Sequence, residues 1–370
     1  MPVSGSDSRP TARRRPGRCS TGPTRLHESA AVTLVGCIGG GQLGRMLGLA
    51  GLPLGLRFRF LDPSPSAPAA DVGELVVGAF DDPVALARLG AGADVVTYEF
   101  ENVAVASVVQ LGALPPYRAL ELGQDRLVEK EMFRRLGIPT ARFGSLAETG
   151  LPALVKSRRL GYDGKGQRRL DADEVISDHE LAEEIVAFDR ELSIIAVRGT
   201  DGETRFWPLV ENAHRDGILR VSRSPVQGAP QAEAEELAGR LLDELGYVGV
   251  LAFELFDVGG RLLANEFAPR VHNTGHWTIE GAVTSQFENH LRAILGLPLG
   301  ATGAVGSSVM LNLIGGAPPS EQLLGLPGAH LHLYGKEPRR GRKIGHLTLV
   351  GADEETVAET LALVESAADG

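Results

Sequence analysis

The first foldable stretch of the chain is a strand, a glycine turn and a helix, and this order constrains the fold most. Residues 33–38 read Thr-Leu-Val-Gly-Cys-Ile and predict a buried strand. The glycine turn 39–44 leads into a helix predicted over 45–52, and 57–61 predict a second strand that ends at Asp62. Two strands joined through a helix form a parallel unit, so we expect a Rossmann-like N-terminal domain in an α/β protein.

The glycine turn also has the spacing G-x-G-x-x-G, with an acidic residue about 20 positions further on, which is the dinucleotide fingerprint. Taken alone it favours an NAD-binding domain, in which Asp62 would bind the ribose. Many nucleotide- and phosphate-binding folds begin in this way, so an NAD-dependent dehydrogenase is one hypothesis among several.

The composition of the 370 residues is that of a globular enzyme with two or three domains. A net charge of −10 argues against a nucleic-acid-binding protein, whose affinity depends on neutralising phosphates. The two cysteines provide neither a disulfide framework nor a zinc site. Pro53, Arg57 and Arg59 interrupt the longest apolar run, so we expect no membrane span and a cytoplasmic location.

Residues 1–30 have a different composition from the rest. They contain six arginines among Ser, Pro, Thr and Gly, without an apolar segment. This composition predicts a disordered extension or a misplaced start codon rather than a secretory signal.

The remainder of the chain contains further predicted helices and strands, and we expect an α/β protein that is α+β overall. Helices are predicted over 124–136 and 231–245, the second with its leucines on one face. Residues 191–198 and 206–211 predict strands.

A second glycine-rich loop follows the strand-like residues 153–155. It reads Lys-Ser-Arg-Arg-Leu-Gly-Tyr-Asp-Gly-Lys-Gly-Gln over 156–167 and is not a Walker A motif. Glycines allow the backbone to approach a ligand closely, and Lys156 and Lys165 add positive charge. The pattern indicates a polyphosphate-binding loop, with a flexible surface turn as the alternative.

Two predicted strands flank residues 258–260 and carry Glu254 and Glu266. If the turn is a three-residue loop, Glu254 opposes Ala264, and Glu266 is a diagonal neighbour of Glu254 on the same face. Diagonal neighbours are ~7–8 Å apart, close enough to share metal ions. A two-residue loop would place the two carboxylates on opposite faces. Carboxylates with few imidazole or thiol neighbours suit Mg²⁺ on substrate phosphates, and two solvated strand acids are the alternative.

A dense group of polar and aromatic side chains follows this hairpin directly. Its density is unusual for a connector and indicates an anion site, with a hydrogen-bonded turn before a helix as the alternative. The group consists of Arg270, His272, Asn273, His276 and Trp277.

Six motifs together resemble the N5-carboxyaminoimidazole ribonucleotide synthase family of ATP-grasp enzymes in purine biosynthesis. They occur in family order between about residues 33 and 350. The motifs are GGGQLGRM (39–46), YEFEN (98–102), QDR (124–126), GYDGKGQ (161–167), NEFAPRVHN (265–273) and GRKIGH (341–346).

The resemblance implies a Rossmann-like N-terminal domain, a central ATP-grasp domain and a small β-rich C-terminal domain. We expect these at 31–115, 116–300 and 301–370, with a lid subdomain at about 140–200. The lid is shorter than is usual in the family, because only 146–150 remain for one expected helix and 171–182 are polar. Arg340 and Thr274 stand where the family usually has proline and serine.

The implied reaction converts ATP, bicarbonate and 5-aminoimidazole ribonucleotide into N5-carboxyaminoimidazole ribonucleotide, ADP and phosphate, through carboxyphosphate. The implied cofactor is Mg²⁺, the enzyme is a ligase, and the family tends to form homodimers. The functional partner is the N5-carboxyaminoimidazole ribonucleotide mutase.

The resemblance also assigns residues to each ligand. The implied catalytic residues are Asp163, Arg270, His272 and Asn273, and the implied metal ligands are Glu254 and Glu266. The implied ribonucleotide contacts are Gln42, Leu43, Tyr162, Lys336, Arg342 and Lys343. The implied ATP contacts are Arg126, Lys156, Gly161, Tyr162, Asp163, Gly164, Lys165, Gly166, Gln167, Glu183, Glu184, Ile185, Val186, Glu191, His214, Asn265 and Glu266.

In this family the first glycine turn faces the ribonucleotide, so Asp62 is no longer expected to bind a ribose. Two alternatives stay beside the carboxylase: another ATP-grasp ligase, such as a formate-dependent glycinamide ribonucleotide transformylase, and a nucleotide-binding protein with impaired catalysis.

Overall fold

The N-terminal part of the chain forms a parallel sheet, as the βαβ pattern predicted. A computed structural model describes residues 32–161, 166–172 and 174–368. The strands of this sheet have the order β3-β2-β1-β4 and are all parallel. They are β1 (Leu34–Ile38), β2 (Arg57–Asp62), β3 (Glu74–Val77) and β4 (Val95–Tyr98). The helices that follow are α1 (Gln42–Gly51), α2 (Pro83–Gly90), α3 (Val105–Leu111), α4 (Tyr117–Gly123) and α5 (Arg126–Arg135).

The first glycine turn needs glycine for a steric reason. Gly39 has a φ of 101°, and a Cβ at this position would lie 2.6 Å from the Glu99 side chain. The turn brings the chain directly into α1, which begins at Gln42, three residues before the predicted start.

A small antiparallel sheet occupies the region of the predicted lid subdomain and is called the lid sheet below. Its strands have the order β5-β8-β6-β7. They are β5 (Phe143–Gly144), β6 (Ala153–Ser157), β7 (Gln167–Leu170) and β8 (Glu180–Glu184), and α6 (Leu146–Thr149) is a single turn. Residues 171, 172 and 174–179 contain no helix, which agrees with the short lid that the sequence predicted.

A nine-stranded sheet occupies the rest of the chain. Its order is β14-β13-β9-β11-β12-β15-β17-β16, and β10 pairs with β9. The strands are β9 (Arg190–Arg198), β10 (Thr204–Phe206), β11 (Val210–Arg215), β12 (Ile218–Ser224), β13 (Gly249–Val258), β14 (Arg261–Ala268), β15 (Ser308–Ile314), β16 (Ala329–Leu333) and β17 (Lys343–Val350). The helices are α7 (Gln231–Leu245), α8 (Thr278–Gly281), α9 (Gln286–Ile294), α10 (Ser320–Leu324) and α11 (Glu354–Ala368).

The predicted strand over 206–211 was wrong. One strand ends at Phe206 and the next begins at Val210, because Pro208 lacks the N–H that a continuous strand requires. The amphipathic helix was correct: Leu237, Leu241 and Leu245 of α7 are buried in one core with residues of β9 and β13.

No helix in the described ranges is both long enough and apolar enough to span a membrane.

Candidate active site

The turn between β13 and β14 is one residue shorter than the sequence predicted. Val258 pairs with Arg261, so the loop contains only Gly259 and Gly260, whose φ angles are 61° and 83°. The prediction of a three-residue loop was therefore wrong, because two consecutive glycines readily adopt the left-handed conformation of a two-residue turn. With regular pairing, this loop would place the hairpin carboxylates on opposite faces.

A β-bulge returns the two carboxylates to one face. Leu255 pairs with Ala264 while Glu254 pairs with Glu266, so Asn265 is an extra residue in β14. An extra residue reverses the alternation of side chains beyond it. Glu254 and Glu266 therefore lie directly opposite each other, and their predicted placement on one face is correct by a different route.

The two carboxylates titrate differently because their surroundings differ. Burial and the neighbouring Glu266 raise the pKa of Glu254 to about 7. Burial also acts to raise the pKa of Glu266, but Arg126 and Lys156 outweigh it, and this pKa lies below its ordinary value. Adjacent carboxylates repel each other, and a cation between them would remove that penalty.

The donor set of the pair suits a hard cation. In the part of the chain that the structure describes, no group of three or more His, Cys, Asp and Glu side chains is arranged to hold a metal ion. Glu254 and Glu266 supply only carboxylate oxygens, so they fit Mg²⁺ that takes its other ligands from water and substrate phosphates.

Two cations from different elements reach this carboxylate face. Arg126, the first residue of α5, donates from Nη1 to Glu266 Oε2 at 2.5 Å. Lys156 of β6 donates to Asn265 Oδ1 at 3.5 Å, across from the lid sheet to the large sheet. Gln167 pairs with Lys156 in the lid sheet, which brings the end of the second glycine loop beside this lysine.

Glu183, a buried residue of the lid sheet, forms an ion pair with Lys156. The Lys156 Nζ donates to Glu183 Oε2 at 2.9 Å, and Lys130 Nζ lies 3.4 Å from the same oxygen. Burial opposes ionisation of Glu183, but the two lysines hold its pKa at about 2. Its Oε1 is buried without a hydrogen-bond partner among the described residues.

The segment after β8 exposes backbone groups that an adenine ring needs. The Glu184 side chain turns away from the cleft to Arg142, at 2.7 Å. Ile185 and Val186 have no internal backbone hydrogen bond to any described residue. The predicted adenine hinge at 183–186 therefore links the lid sheet to β9 and has unpaired backbone donors and acceptors.

Glu191 and His214 form a hydrogen-bonded pair on the adjacent strands β9 and β11. Burial acts to lower the pKa of His214, but the Glu191 carboxylate outweighs it and raises this pKa above its ordinary value. The two residues lie on the same sheet as the carboxylate pair, as expected for contacts to one nucleotide.

Three members of the predicted anion cluster lie near the carboxylate pair or have polar atoms without a partner among the described residues. Arg270 pairs with Glu101 at 2.5 Å, and His272 Nε2 lies 3.6 Å from Glu254 Oε1. Burial, and then the charge of Arg270, lower the pKa of His272 well below its ordinary value, so the ring is neutral. Both amide atoms of Asn273 are buried without a partner among the described residues, which leaves them for a ligand.

The other two members of that cluster serve the core. His276 and Trp277 are at most 1% exposed, and Trp277 packs in the largest hydrophobic cluster. The hydroxyl of Thr274 lies 3.0 Å from His272 Nδ1, so threonine at this position keeps a polar contact to the imidazole.

The basic C-terminal loop meets the first glycine turn. Lys336 contacts the Gln42 side chain, and Arg342 donates to the Glu337 carbonyl at 3.3 Å. Lys343 is the first residue of β17. Leu43 is 7% exposed and packs in the core, so only its backbone is available to a ligand.

The carboxylates of Asp62 and Glu99 accept hydrogen bonds from the backbone of the first glycine turn. Asp62 accepts from the amides of Gly40 and Ser64, each at 2.9 Å, and Glu99 accepts from the Gly41 amide at 2.9 Å. Both oxygens of Asp62 are thus occupied, which supports withdrawing it as a ribose ligand.

Some predicted residues lie outside the described part of the chain. These are residues 1–30 and, within the second glycine loop, Tyr162, Asp163, Gly164 and Lys165. The loop ends are described: the Ser157 amide donates to the Gly166 carbonyl at 2.7 Å, and Gly161 lies nearby.

Sequence reasoning missed two residues that hold site side chains. Glu101 was overlooked although it lies within the YEFEN motif, and it pairs with Arg270. Lys130 was missed although it follows Arg126 by four residues, a spacing that places both on one helix face.

Three family models match successive parts of the chain. The ribonucleotide synthetase preATP-grasp domain matches residues 32–124, and the ATP-grasp domain matches 132–287. The phosphoribosylaminoimidazole carboxylase C-terminal domain matches residues 308–360.

Three similar proteins are named as synthases or synthetases of N5-carboxyaminoimidazole ribonucleotide or as its synthase in complex with nucleotide. The chain is 51% identical over 354 residues to N5-carboxyaminoimidazole ribonucleotide synthase of Pseudomonas aeruginosa, which covers 90% of this chain and 98% of that protein. The synthetase structure from Thermus thermophilus has a TM-score of 0.86 at 52% identity and covers 91% of this chain and 99% of its own. The Aspergillus clavatus synthase in complex with ADP and 5-aminoimidazole ribonucleotide has a TM-score of 0.82 at 32% identity, and the match covers 90% of this chain and 99% of that one. The chain therefore belongs to the N5-carboxyaminoimidazole ribonucleotide synthase family of ATP-grasp enzymes.

Proposed function

We propose that the chain catalyses the ATP-dependent carboxylation of 5-aminoimidazole ribonucleotide by bicarbonate in purine biosynthesis. The position of Glu254 carries this proposal. Glu254 opposes Glu266 on the nucleotide side, and its Oε1 lies 3.6 Å from His272 Nε2 in the anion cluster. A phosphate bound at the carboxylate pair is then adjacent to a small anion, as phosphoryl transfer to bicarbonate requires.

The nucleotide binds between the lid sheet and the large sheet in this proposal. Arg126 and Lys156 supply positive charge to the phosphates, since both already meet the carboxylate face. The unpaired backbone N–H and C=O groups of 185–186 form hydrogen bonds with adenine, and the Glu191–His214 pair contacts the ribose. The other ATP contacts assigned from the family motifs are kept as proposals.

Mg²⁺ held by Glu254 and Glu266 would bind the ATP phosphates and stabilise the charge that develops during transfer. Burial, and after it repulsion from Glu266, raise the pKa of Glu254 to about 7, and a cation held by both carboxylates would relieve that repulsion, which supports this assignment.

The chemistry occurs in two steps. A bicarbonate oxygen attacks the γ-phosphorus, and the bond from this phosphorus to the bridging oxygen breaks, which releases ADP and forms carboxyphosphate. The substrate amine then attacks the carboxyl carbon, or CO2 released from it, while phosphate leaves and the amine loses a proton. Arg270, neutral His272 and Asn273 bind the reacting anion, since Asn273 has free amide atoms. We assign Asp163 and Tyr162 to the aminoimidazole on the family motif alone.

The ribonucleotide phosphate binds at the junction of the first glycine turn and the basic loop. Lys336 and Gln42 already touch there, Arg342 lies on the same loop, and Lys343 follows as the first residue of β17. Positive charge concentrated on one loop of an acidic protein suits a phosphate monoester.

Several finer assignments belong to the proposal. The domains divide at 31–115, 116–300 and 301–370, with residues 1–30 as an extension. The enzyme works in the cytoplasm as a homodimer and passes its product to the N5-carboxyaminoimidazole ribonucleotide mutase.

ADP release with each substrate omitted in turn tests the proposal. Release must depend on both bicarbonate and 5-aminoimidazole ribonucleotide. Equal release without the ribonucleotide would refute the substrate assignment, and release that requires formate and glycinamide ribonucleotide would favour the transformylase. Tight ATP binding without turnover would identify a nucleotide-binding protein with impaired catalysis.

A further inference from the structure

Lys130 is a charged group that the proposed chemistry does not use. Its side chain is completely buried, so its ammonium group cannot reach a ligand in the cleft. Burying a lysine charge is costly unless partners compensate it, and such groups are commonly retained for a specific role.

The Lys130 ammonium joins three elements around the nucleotide site. It donates to Thr140 Oγ1 at 3.0 Å and to the Ala264 carbonyl of β14 at 3.3 Å. Its third partner is Glu183 Oε2 of the lid sheet, at 3.4 Å. Lys130 thus connects α5 to the lid and to the strand that carries Glu266.

Glu183 has two cationic partners, and only one of them can reach the nucleotide. Lys156 lies 2.9 Å from Glu183 Oε2 and 3.5 Å from Asn265 Oδ1, at the edge of the cleft. If Lys156 turns to the ATP phosphates, Glu183 loses its nearer cation while remaining 3% exposed. An unpaired buried carboxylate is strongly unfavourable, so it would resist the departure of Lys156.

We propose that Lys130 is a positioning residue that keeps Glu183 paired and thereby frees Lys156 to bind ATP. The inference rests on the proposed ATP-dependent function. Lys130 remains beside Glu183 with and without nucleotide because it is enclosed by α5, Thr140 and β14. The Glu183 carboxylate therefore orients Lys156 before ATP binds, and it stays paired with Lys130 when Lys156 moves to the phosphates.

The substitution Lys130→Met tests this role because methionine fills a similar volume without charge. We expect the Kd and KM for ATP to rise by about tenfold or more, as when an outer partner of a ligand-binding group is removed. The kcat at saturating ATP and the KM for bicarbonate stay within about twofold, since Lys130 touches no reacting atom. Thr140→Val is the matched control, because it removes a neighbouring hydrogen bond and leaves the ion pair with Glu183.

A double substitution separates this role from simple packing. In Lys130→Met combined with Glu183→Gln, no carboxylate holds Lys156, so ATP affinity returns toward that of Glu183→Gln alone. A packing role predicts instead that the two losses add. If Lys130→Met alone does not fold, Glu183→Gln and the double variant still give the comparison.

The outcomes distinguish this inference from the proposed function. Wild-type protein that neither binds nor hydrolyses ATP overturns both. Two other results overturn only the role of Lys130. One is an ATP affinity that Lys130→Met leaves unchanged. The other is a loss of ATP affinity on Lys130→Met that is equally large in the wild-type and Glu183→Gln backgrounds.

Discussion

Replacing Glu266 by glutamine separates the chemistry of the carboxylate pair from its contribution to stability. The substitution keeps the side-chain shape while removing one of two carboxylates that face each other across β13 and β14. We expect kcat to fall by at least about 100-fold, the size of effect seen when one group that stabilises a transition-state charge is lost. ADP release at saturating substrates measures this loss.

The stability change should be small because two effects oppose each other. Glu266 pairs with Arg126 at 2.5 Å, and the 37% exposure of the Glu266 side chain lets water screen the pair, so it contributes on the order of 1 kcal/mol. Removing the charge also ends the repulsion with Glu254, which is favourable. A change of 1 kcal/mol shifts Tm by about 2–4 °C in a protein of a few hundred residues. Circular dichroism should therefore show a nearly unchanged melting curve.

Glu244→Gln is the matched control for this variant. Glu244 also pairs with arginines, Arg118 at 2.7 Å and Arg135 at 2.9 Å, but it lies on α7, which packs against Phe253 and Leu255 on the sheet face opposite Glu254. It should retain wild-type turnover. Near-wild-type turnover of Glu266→Gln would refute the metal assignment, and a large loss of Tm would show that the pair is primarily structural.

Three further predictions concern neighbouring groups. Because the pKa of Glu254 is raised to about 7, the folded protein without ligand binds this proton more tightly than the unfolded chain does. The stability of the folded protein should therefore fall as pH rises from about 4.5 to 7, and Mg²⁺–ATP should restore it at pH 8. Thermal melts at several pH values measure this dependence. A Tm that does not change with pH contradicts the prediction. Glu101→Gln should raise the KM for bicarbonate more than the KM for ATP, since it removes the carboxylate partner of Arg270. Initial rates at varied bicarbonate measure this change. An unchanged KM for bicarbonate argues against the anion site. Lys336→Met should raise the KM for the ribonucleotide by about 10- to 100-fold, the worth of one hydrogen bond to a charged group. Equal changes in the KM for ATP and for the ribonucleotide would place Lys336 elsewhere.

The sequence predicted which residues lie together better than it predicted their geometry. Glu254 and Glu266 were identified from their hairpin, but the turn length was wrong, and only the bulge at Asn265 restores their common face. No local pattern announces such a bulge, because it depends on how β14 pairs with its partner strand. Lys130 was missed for a related reason: a lysine on an amphipathic helix ordinarily faces solvent, and only the tertiary structure reveals its burial.

Polar contacts near the site, more than apolar packing, position the lid. Among the described residues, the lid sheet has one small apolar cluster of four buried side chains, Ala153, Val155, Leu170 and Ala182, with Leu146 and Ile176 packed against it. Its attachments to α5 are polar: Asp125 pairs with Arg158 at 2.8 Å, the Arg126 amide donates to the Arg158 carbonyl at 2.9 Å, and Glu183 pairs with Lys130.

Regions with few buried apolar contacts open at lower free-energy cost than the rest of a structure. The carboxylates, by contrast, lie within a continuous nine-stranded sheet, where neighbouring strands fix their spacing. A nucleotide that engages Lys156 on the lid and Glu266 on the sheet adds contacts across the weaker junction. ATP should therefore order the lid far more than the sheet, and amide exchange should slow on β6 and β8 while β13 and β14 change little. Equal protection of both sheets would contradict this division.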